Sequence, residues 1–248
     1  MTERAYYIVS DIHLGAVPAA TERAFRGFLC HAASHASGLL INGDLFDFWF
    51  EYRTVVPARY YRVLAALAEV VEAGVPVAFV GGNHDAWGGR FLRDEVGLTL
   101  LDGPVEMRLG GRRALVAHGD GLGKGDLRYR ALRRFIRHRW TVAAFRALHP
   151  DLGSRIALRA STTEEKAGNG HGEGRGRERF IEAWAVERLR ADPALQLVVA
   201  GHSHRPALVE LEPGRFYLNT GDWIHHFSYA VLPPDGSAPQ LRTWPAGG

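Results

Sequence analysis

Three short apolar runs, separated by two helical stretches, constrain the fold of this 248-residue chain more than any other feature. The runs are AYYIVS (5–10), GLLING (38–43) and VPVAFV (75–80). Each has the length and residue types of a buried strand. The stretches between them, 21–36 and about 57–73, have helical spacing, and Pro57 suits a first helical position. A strand–helix–strand–helix–strand order predicts a parallel sheet with right-handed crossovers, and therefore an α/β fold.

The pattern changes after residue 98 to short β runs separated by DGP and GG turns. These runs are LTLL, VEMRL and RALVAH, followed near the C-terminus by LQLVVAG, ALVELEP, RFYLNTG and YAVLPP. Short runs with turn residues between them predict a second, largely antiparallel sheet.

Helical sequence interrupts the second β region. We predict a helical insertion, or cap, over 123–172, and a core formed by 1–122 and 173–248. The glycine-rich stretch AGNGHGEGRG (167–176) cannot pack a core and predicts a mobile loop, followed by a helix over about 177–191.

Composition limits the class of protein. The chain is 46% hydrophobic, which suits one large domain, or one domain plus an insertion, and it has no apolar run of the ~18 residues that suggest a membrane span. The N-terminus lacks the pattern of a secretory signal, and Cys30, expected in the core, is the only cysteine. We therefore expect a cytoplasmic protein. A net charge of +3, almost all of it from arginine, does not by itself imply a nucleic-acid partner.

Residues that bind metals follow five of the predicted strands. They are Asp11 and His13 in D-x-H, Asp44 in a Gly-Asp pair, Asn83, His84 and Asp85 in G-N-H-D, His118 in HGD, and His202 and His204 in G-H-S-H. One such motif alone is usually explained by a turn or by packing, but five in order at strand ends are not, because ligands gather at the carboxyl ends of strands in open α/β sheets.

The residue types indicate two divalent ions. Carboxylate with imidazole suits Mn²⁺, Fe²⁺, Zn²⁺ or Co²⁺, and the lack of thiolate argues against a structural zinc site. Asp44 is the natural bridge between the ions. Metals about 3.5–4 Å apart polarise a phosphoryl group and activate water near neutral pH.

The ordered set D-x-H, G-D, G-N-H-D, His and G-H-x-H resembles the calcineurin-like metallophosphoesterase superfamily. The resemblance implies a four-layer α/β/β/α sandwich, in which helices flank two sheets, and two divalent metal ions, of which Mn²⁺ is the expected one. It implies that one ion is held by Asp11, His13, Asp44 and His204, and the other by Asp44, Asn83, His118 and His202. It also implies that His84 is the catalytic histidine at the phosphoryl group and that Asp85 orients it.

The insertion carries a closer resemblance. HGDGLGKGDLRYRALRRFIRHRW and LHPDLGSRIALRASTTEEK are similar to segments of bacterial UDP-2,3-diacylglucosamine pyrophosphatases of lipid A biosynthesis. Outside the insertion, GDLFDFWFEY (43–52) has the aromatic-rich character of the same family. The resemblance implies a nucleotide-linked glycolipid substrate, cleaved at its pyrophosphate to UMP and a lipid monosaccharide phosphate at the cytoplasmic face of the inner membrane. Asp126, Ser161 and Lys166 match polar positions that meet the sugar or phosphates. The best-known branch of that family has arginine where this chain has His84.

The insertion also has a pattern of its own. Residues 129–147 predict one helical face formed by Tyr129, Leu132, Ile136, Trp140, Ala143 and Ala147. Arginines flank this face. It is typical of a helix packed on the core with a solvated basic side. It is equally typical of an acyl-chain surface, contacted through Leu132, Ile136 and Trp140, with a basic rim for phosphate or anionic lipid. Arg205, next to G-H-S-H, suits either phosphate or a surface salt bridge.

Three functions can be considered for a chain with these motifs. The first is a lipid-linked pyrophosphatase, and the second is a phosphodiesterase or nuclease that uses the same metals. The third, a scaffold without activity, predicts missing ligands, and none is missing. The basic residues lie beside an apolar helix face rather than among stacking aromatics along a groove, which favours lipid and predicts no stable nucleic-acid partner.

Overall fold

Two β-sheets lie face to face at the centre of the protein. The computed structural model describes residues 4–122, 127–156 and 173–245. The strands are β1 (Ala5–Val9), β2 (Ala36–Asn42), β3 (Val77–Val80), β4 (Thr99–Leu101), β5 (Val105–Leu109), β6 (Arg112–Val116), β7 (Leu197–Ala200), β8 (Pro206–Glu212), β9 (Arg215–Thr220), β10 (Ser228–Leu232) and β11 (Gln240–Thr243). The α-helices are α1 (Ala19–His35), α2 (Tyr61–Glu72), α3 (Leu127–Ile136), α4 (Arg139–Arg146), α5 (150–156) and α6 (Glu173–Ala191). A 3₁₀ turn (Ala58–Tyr60) precedes α2, and a short π-helix (Phe91–Glu95) follows β3.

The first sheet has the order β11-β10-β1-β2-β3-β4. Strands β1 to β4 are parallel, which confirms the prediction of a parallel α/β sheet. β10 pairs antiparallel with β1 at the other edge. The assignment of YAVLPP to the second sheet was therefore wrong, and so was that of LTLL, because β4 also belongs to the first sheet.

The second sheet has the order β5-β6-β7-β9-β8. Its central strands β6, β7 and β9 are parallel, and only the two edge pairings, β5 with β6 and β8 with β9, are antiparallel. The prediction of a largely antiparallel sheet was wrong. Since β6, β7 and β9 run in one direction, the loops that follow them emerge at one edge of the sheet.

The layers follow from the alternation of side chains along the strands. Val9 of β1 faces α1 and α2, where it packs with Phe25 and Leu67. Its neighbour Ile8 faces the second sheet and packs in a cluster with Val199. The other face of the second sheet is covered by α6 through an apolar cluster formed by Ile181, Ala185, Leu189, Val198 and Tyr217. This arrangement confirms the four-layer α/β/β/α sandwich.

The described part of the insertion differs from one continuous helix. α3 ends at Ile136 and α4 begins at Arg139, because His138 has an extended backbone and its side chain accepts a hydrogen bond from the Trp140 N–H. The predicted glycine-rich loop lies mostly outside the described residues, and its last part, 173–176, is already helical in α6. Cys30 is exposed, contrary to expectation. Within the described residues, none of the helices has the length and apolar composition that a membrane crossing needs.

Candidate metal centre

Five loops meet where the parallel strands of both sheets end. Backbone bonds tie them together, since Ile12 and His13 both donate to the carbonyl of Asp44, and Gly201 donates to that of His118. The five loops contain the residues predicted from the sequence.

The backbone of this edge is strained. Five of the predicted ligands have positive φ angles between 51° and 64°: Asp11, His13, Asp44, His202 and His204. Residues other than glycine rarely adopt this left-handed backbone conformation, and those that do cluster at functional sites. Glycines are also required here, because a Cβ on Gly82 would lie 2.1 Å from Asp44 Oδ1 and one on Gly43 would lie 2.2 Å from His118 Nδ1.

The side chains of these loops form two clusters that meet at the carboxylate of Asp44. In the first, Asp11, His13 and His204 each present a donor atom within 4.8 Å of the others. In the second, Asp44, His118 and His202 do the same. Asp44 joins the two, because its Oδ2 lies 3.2 Å from His118 Nε2 and 3.7 Å from His13 Nε2.

The donor atoms fit divalent ions. Buried polar atoms without a hydrogen-bond partner are rare in folded proteins. Here they include both ring nitrogens of His13 and Asn83 Oδ1. Two ligand atoms that each lie about 2.1 Å from one ion are about 3 Å from each other. Converging ligand atoms without hydrogen-bond partners are therefore the expected arrangement for a metal site.

Two groups of the centre already have the protonation states that metal binding requires. Burial favours the neutral acid of Asp44, but His118 and then His84 and His13 hold its pKa well below the ordinary value. Burial lowers the pKa of His13 to about 3, and the opposing effect of Asp44 is smaller. Carboxylates ionise and imidazoles lose their protons when they bind metals, and these two groups already have those forms at neutral pH.

The imidazole of His84 contacts Asp47. The His84 Nδ1–H donates to the Asp47 carbonyl at 2.8 Å, and the Asp47 carboxylate lies 3.7 Å from the same nitrogen. Asp85, predicted to orient His84, has two oxygens that accept four backbone N–H groups, from Gly82, Asp44, Leu45 and Phe46. Asp85 therefore joins the loops that carry Asp44 and His84.

The electrostatic environment of His84 favours a proton on the ring. Burial by itself lowers the pKa of His84, but Asp44, the hydrogen bond to Asp47 and the nearby carboxylates raise it above the ordinary value. A ring nitrogen of His84 lies within 4.8 Å of donor atoms of His13 and Asp44, so the side chain reaches the centre itself.

Two acidic residues at the centre were missed in the sequence. Asp47 lies three residues after Asp44, and Asp222 follows β9 and contacts His204 Nδ1 at 3.2 Å. A signal for Asp222 was present, because Gly221-Asp222 after a buried strand repeats the pattern of Gly43-Asp44.

The insertion contacts the loops of the centre. Trp87 Nε1 donates to the Ile136 carbonyl at 3.2 Å, and Arg137 donates to the carbonyl of Gly82 at 3.4 Å. Phe145 packs on aromatic rings of the 48–50 segment and of Trp87.

The predicted substrate residues have different positions. Trp140 is 67% exposed, and Ile136 is half-buried. Arg205 forms a surface ion pair with Glu178 at 3.5 Å. Asp126, Ser161 and Lys166 lie outside the described residues, as does the side chain of Leu132.

Comparison with known proteins agrees with this geometry. The family model of the calcineurin-like phosphoesterases matches residues 6–206, and the chain belongs to this family of hydrolases.

Among curated proteins, the chain is similar to UDP-2,3-diacylglucosamine hydrolases. It is 31% identical over 242 residues to the protein of Porphyromonas gingivalis, covering 91% of this chain and 92% of that one. It is 34% identical over 227 residues to that of Ralstonia nicotianae (88% and 84% covered) and 33% identical over 207 residues to that of Escherichia coli (84% and 85% covered). A solved dimetal phosphatase from Danio rerio is 11% identical, with a TM-score of 0.50 over 98% of this chain and 99% of that one, and shares the fold.

Proposed function

We propose that the protein hydrolyses the pyrophosphate of UDP-2,3-diacylglucosamine, releasing UMP and 2,3-diacylglucosamine 1-phosphate for lipid A biosynthesis. The observation that carries this proposal is the pair of donor clusters that meet at Asp44, in a family member whose relatives bear the name of this activity.

The proposal assigns two divalent ions to the centre. Asp11, His13, Asp44 and His204 would hold one ion, and Asp44, Asn83, His118 and His202 the other. Mn²⁺ is the proposed ion, since it accepts mixed carboxylate and imidazole ligands. When bound, such ions supply Lewis acidity toward a phosphoryl group.

His84 is the proposed acid at the phosphoryl group. Its Nδ1–H donates to a backbone carbonyl, so Nε2 is the nitrogen that acts on the substrate. A proton on Nε2, favoured by the raised pKa of His84, stabilises charge on a phosphoryl oxygen or passes to the leaving oxygen.

The cap is proposed to contact the acyl chains and the membrane surface. Phe135 is 65% and Trp140 is 67% exposed, and the exposed Arg134 and Arg139 lie beside them. Exposed apolar rings among cations suit the interface of an anionic bilayer. Each methylene that this surface buries would contribute about 0.8 kcal/mol to binding. The proposed location is the cytoplasmic face of the inner membrane.

The test is a mass-spectrometric assay on UDP-2,3-diacylglucosamine, on deacylated UDP-glucosamine and on a simple nucleotide diester. We expect UMP and the lipid phosphate from the first substrate at a much higher kcat/KM than from either of the others. Equal efficiency on the deacylated substrate would contradict the lipid specificity, and preference for the diester would favour a phosphodiesterase.

Charged substitutions test the cap separately. Ile136→Asp and Trp140→Asp are expected to raise KM for the diacylated substrate and to leave hydrolysis of the soluble diester nearly unchanged. Equal losses on both substrates would indicate that the helices are structural only.

A further inference from the structure

The carboxylate of Asp222 connects a backbone turn to His204. Asp222 is fully buried and lies two residues after the end of β9. Its Oδ1 accepts the backbone N–H groups of Ile224, His225 and His226 at 2.9 to 3.2 Å and contacts His226 Nδ1. Its Oδ2 lies 3.2 Å from His204 Nδ1. One oxygen therefore fixes the turn, and the other is directed at a predicted metal ligand.

This contact determines which nitrogen of His204 carries a proton. A carboxylate that receives several N–H groups only accepts hydrogen bonds, so Nδ1 must be the donor. In the neutral ring Nε2 then has a lone pair. Nε2 is the nitrogen that faces the centre, since it lies 3.5 Å from Asp11 Oδ1.

We propose that Asp222 is a positioning residue that fixes the ligand tautomer of His204 and thereby sets the affinity of the first metal site, formed with Asp11 and His13. This inference rests on the proposed function in one respect, the assignment of metals to the centre. Carboxylates bonded to ligand histidines orient the ring and increase its basicity, and their loss costs about 10- to 100-fold in metal affinity.

The effect is expected at one site only. In the second cluster the ring of His118 is held by a neutral group, since its Nδ1–H donates to the Asn42 carbonyl at 2.9 Å. Loss of the Asp222 carboxylate should therefore weaken metal binding at the first site only, whereas loss of a purely structural residue would weaken it at both sites.

The variant Asp222→Asn separates the two roles of the carboxylate. The amide oxygen can still accept the three backbone N–H groups of the turn, so the fold is retained. The amide NH₂ then faces His204 and can only donate, which forces Nδ1 to accept and moves the ring proton to Nε2. The histidine would present a proton instead of a lone pair to the ion.

Calorimetric titration of the metal-free protein with Mn²⁺ measures the effect. We expect one of two binding steps to weaken about 10- to 100-fold in Asp222→Asn, and the other to stay unchanged. His225→Ala is the matched control, because this exposed side chain belongs to the same turn. If both steps in Asp222→Asn kept the wild-type affinity, or if both weakened to the same extent, the inference would be overturned.

Nitrogen-15 NMR of the wild type provides a test that needs no variant. In the metal-free protein, at a pH high enough for the His204 ring to be neutral, we expect a proton on Nδ1 of His204 and none on Nε2. The opposite tautomer would overturn the inference. Failure of the wild type to bind two ions would instead refute the proposed metal centre, so the two failures are distinguishable.

Discussion

Replacement of His84 by alanine tests whether this residue acts in the chemical step rather than as a metal ligand. The variant removes the imidazole that donates to Asp47 at 2.8 Å, but keeps the backbone N–H of residue 84, which donates to Asp44 Oδ1 at 3.0 Å. Asn83 also remains. The geometry of the carboxylate is therefore preserved, and we expect both metal ions to stay bound.

The expected loss is in the rate. A group that transfers a proton or stabilises charge only in the transition state contributes about 10²–10⁴ in kcat, or about 2.7–5.4 kcal/mol. Steady-state kinetics at saturating Mn²⁺ gives kcat, and plasma mass spectrometry of the same sample gives the metal content. His35→Ala, an exposed histidine at the end of α1, is the control.

Two results would refute this reasoning. His84 lies with His13 and Asp44 in a group whose donor atoms are within 4.8 Å of one another, so it has the geometry of a possible ligand. Loss of one metal equivalent in His84→Ala would show that His84 is a ligand. An unchanged kcat with full metal content would show that it has no part in the chemistry.

Three further predictions concern the same loops. Gly82→Ala would place a Cβ 2.1 Å from Asp44 Oδ1, so metal content and activity should fall together. Gly176→Ala, whose new Cβ meets no described residue within 4 Å, should change neither. Asp85→Asn replaces one acceptor by a donor and leaves buried N–H groups unpaired. The free energy of unfolding in urea should therefore fall by about 1–3 kcal/mol for each unpaired group. The folded-state pKa of His13, about 3, lies below its unfolded value, so the unfolded chain binds more protons between those values and stability falls as pH falls below about 6.5. From pH 6.5 to 5 the metal-free wild type should therefore lose about 1.6 kcal/mol more than His13→Gln. An equal loss in both proteins would contradict a buried neutral His13.

The residues of the centre were predictable because the strand ends carry their chemistry in short, local motifs. Asp11, Asp44 and His118 follow strands that are evident from apolar runs, and parallel strands bring such positions to one edge. Asp47 was not singled out, because its contact with His84 depends on the path of the loop between them. The backbone contacts of Asp85 were not predictable for the same reason, since backbone amides leave no trace in the side-chain pattern.

The errors in the fold concern long-range pairing. Local sequence indicates that β10 is a strand but not that it pairs with β1, more than 200 residues earlier. The break between α3 and α4 occurs without proline or glycine, through a histidine N-cap at His138, so helical periodicity alone predicted one helix. The first outcome depends on a tertiary contact, and the second on a local cap that periodicity does not reveal.

Anomalous scattering from crystals grown with Mn²⁺ tests the central claim most directly. We predict two peaks about 3.5–4 Å apart, one beside Asp11 and His204 and the other beside His118 and His202, with the carboxylate of Asp44 in contact with both ions. A single peak, or two peaks of which only one contacts Asp44, would contradict the account of a shared carboxylate between two catalytic metals.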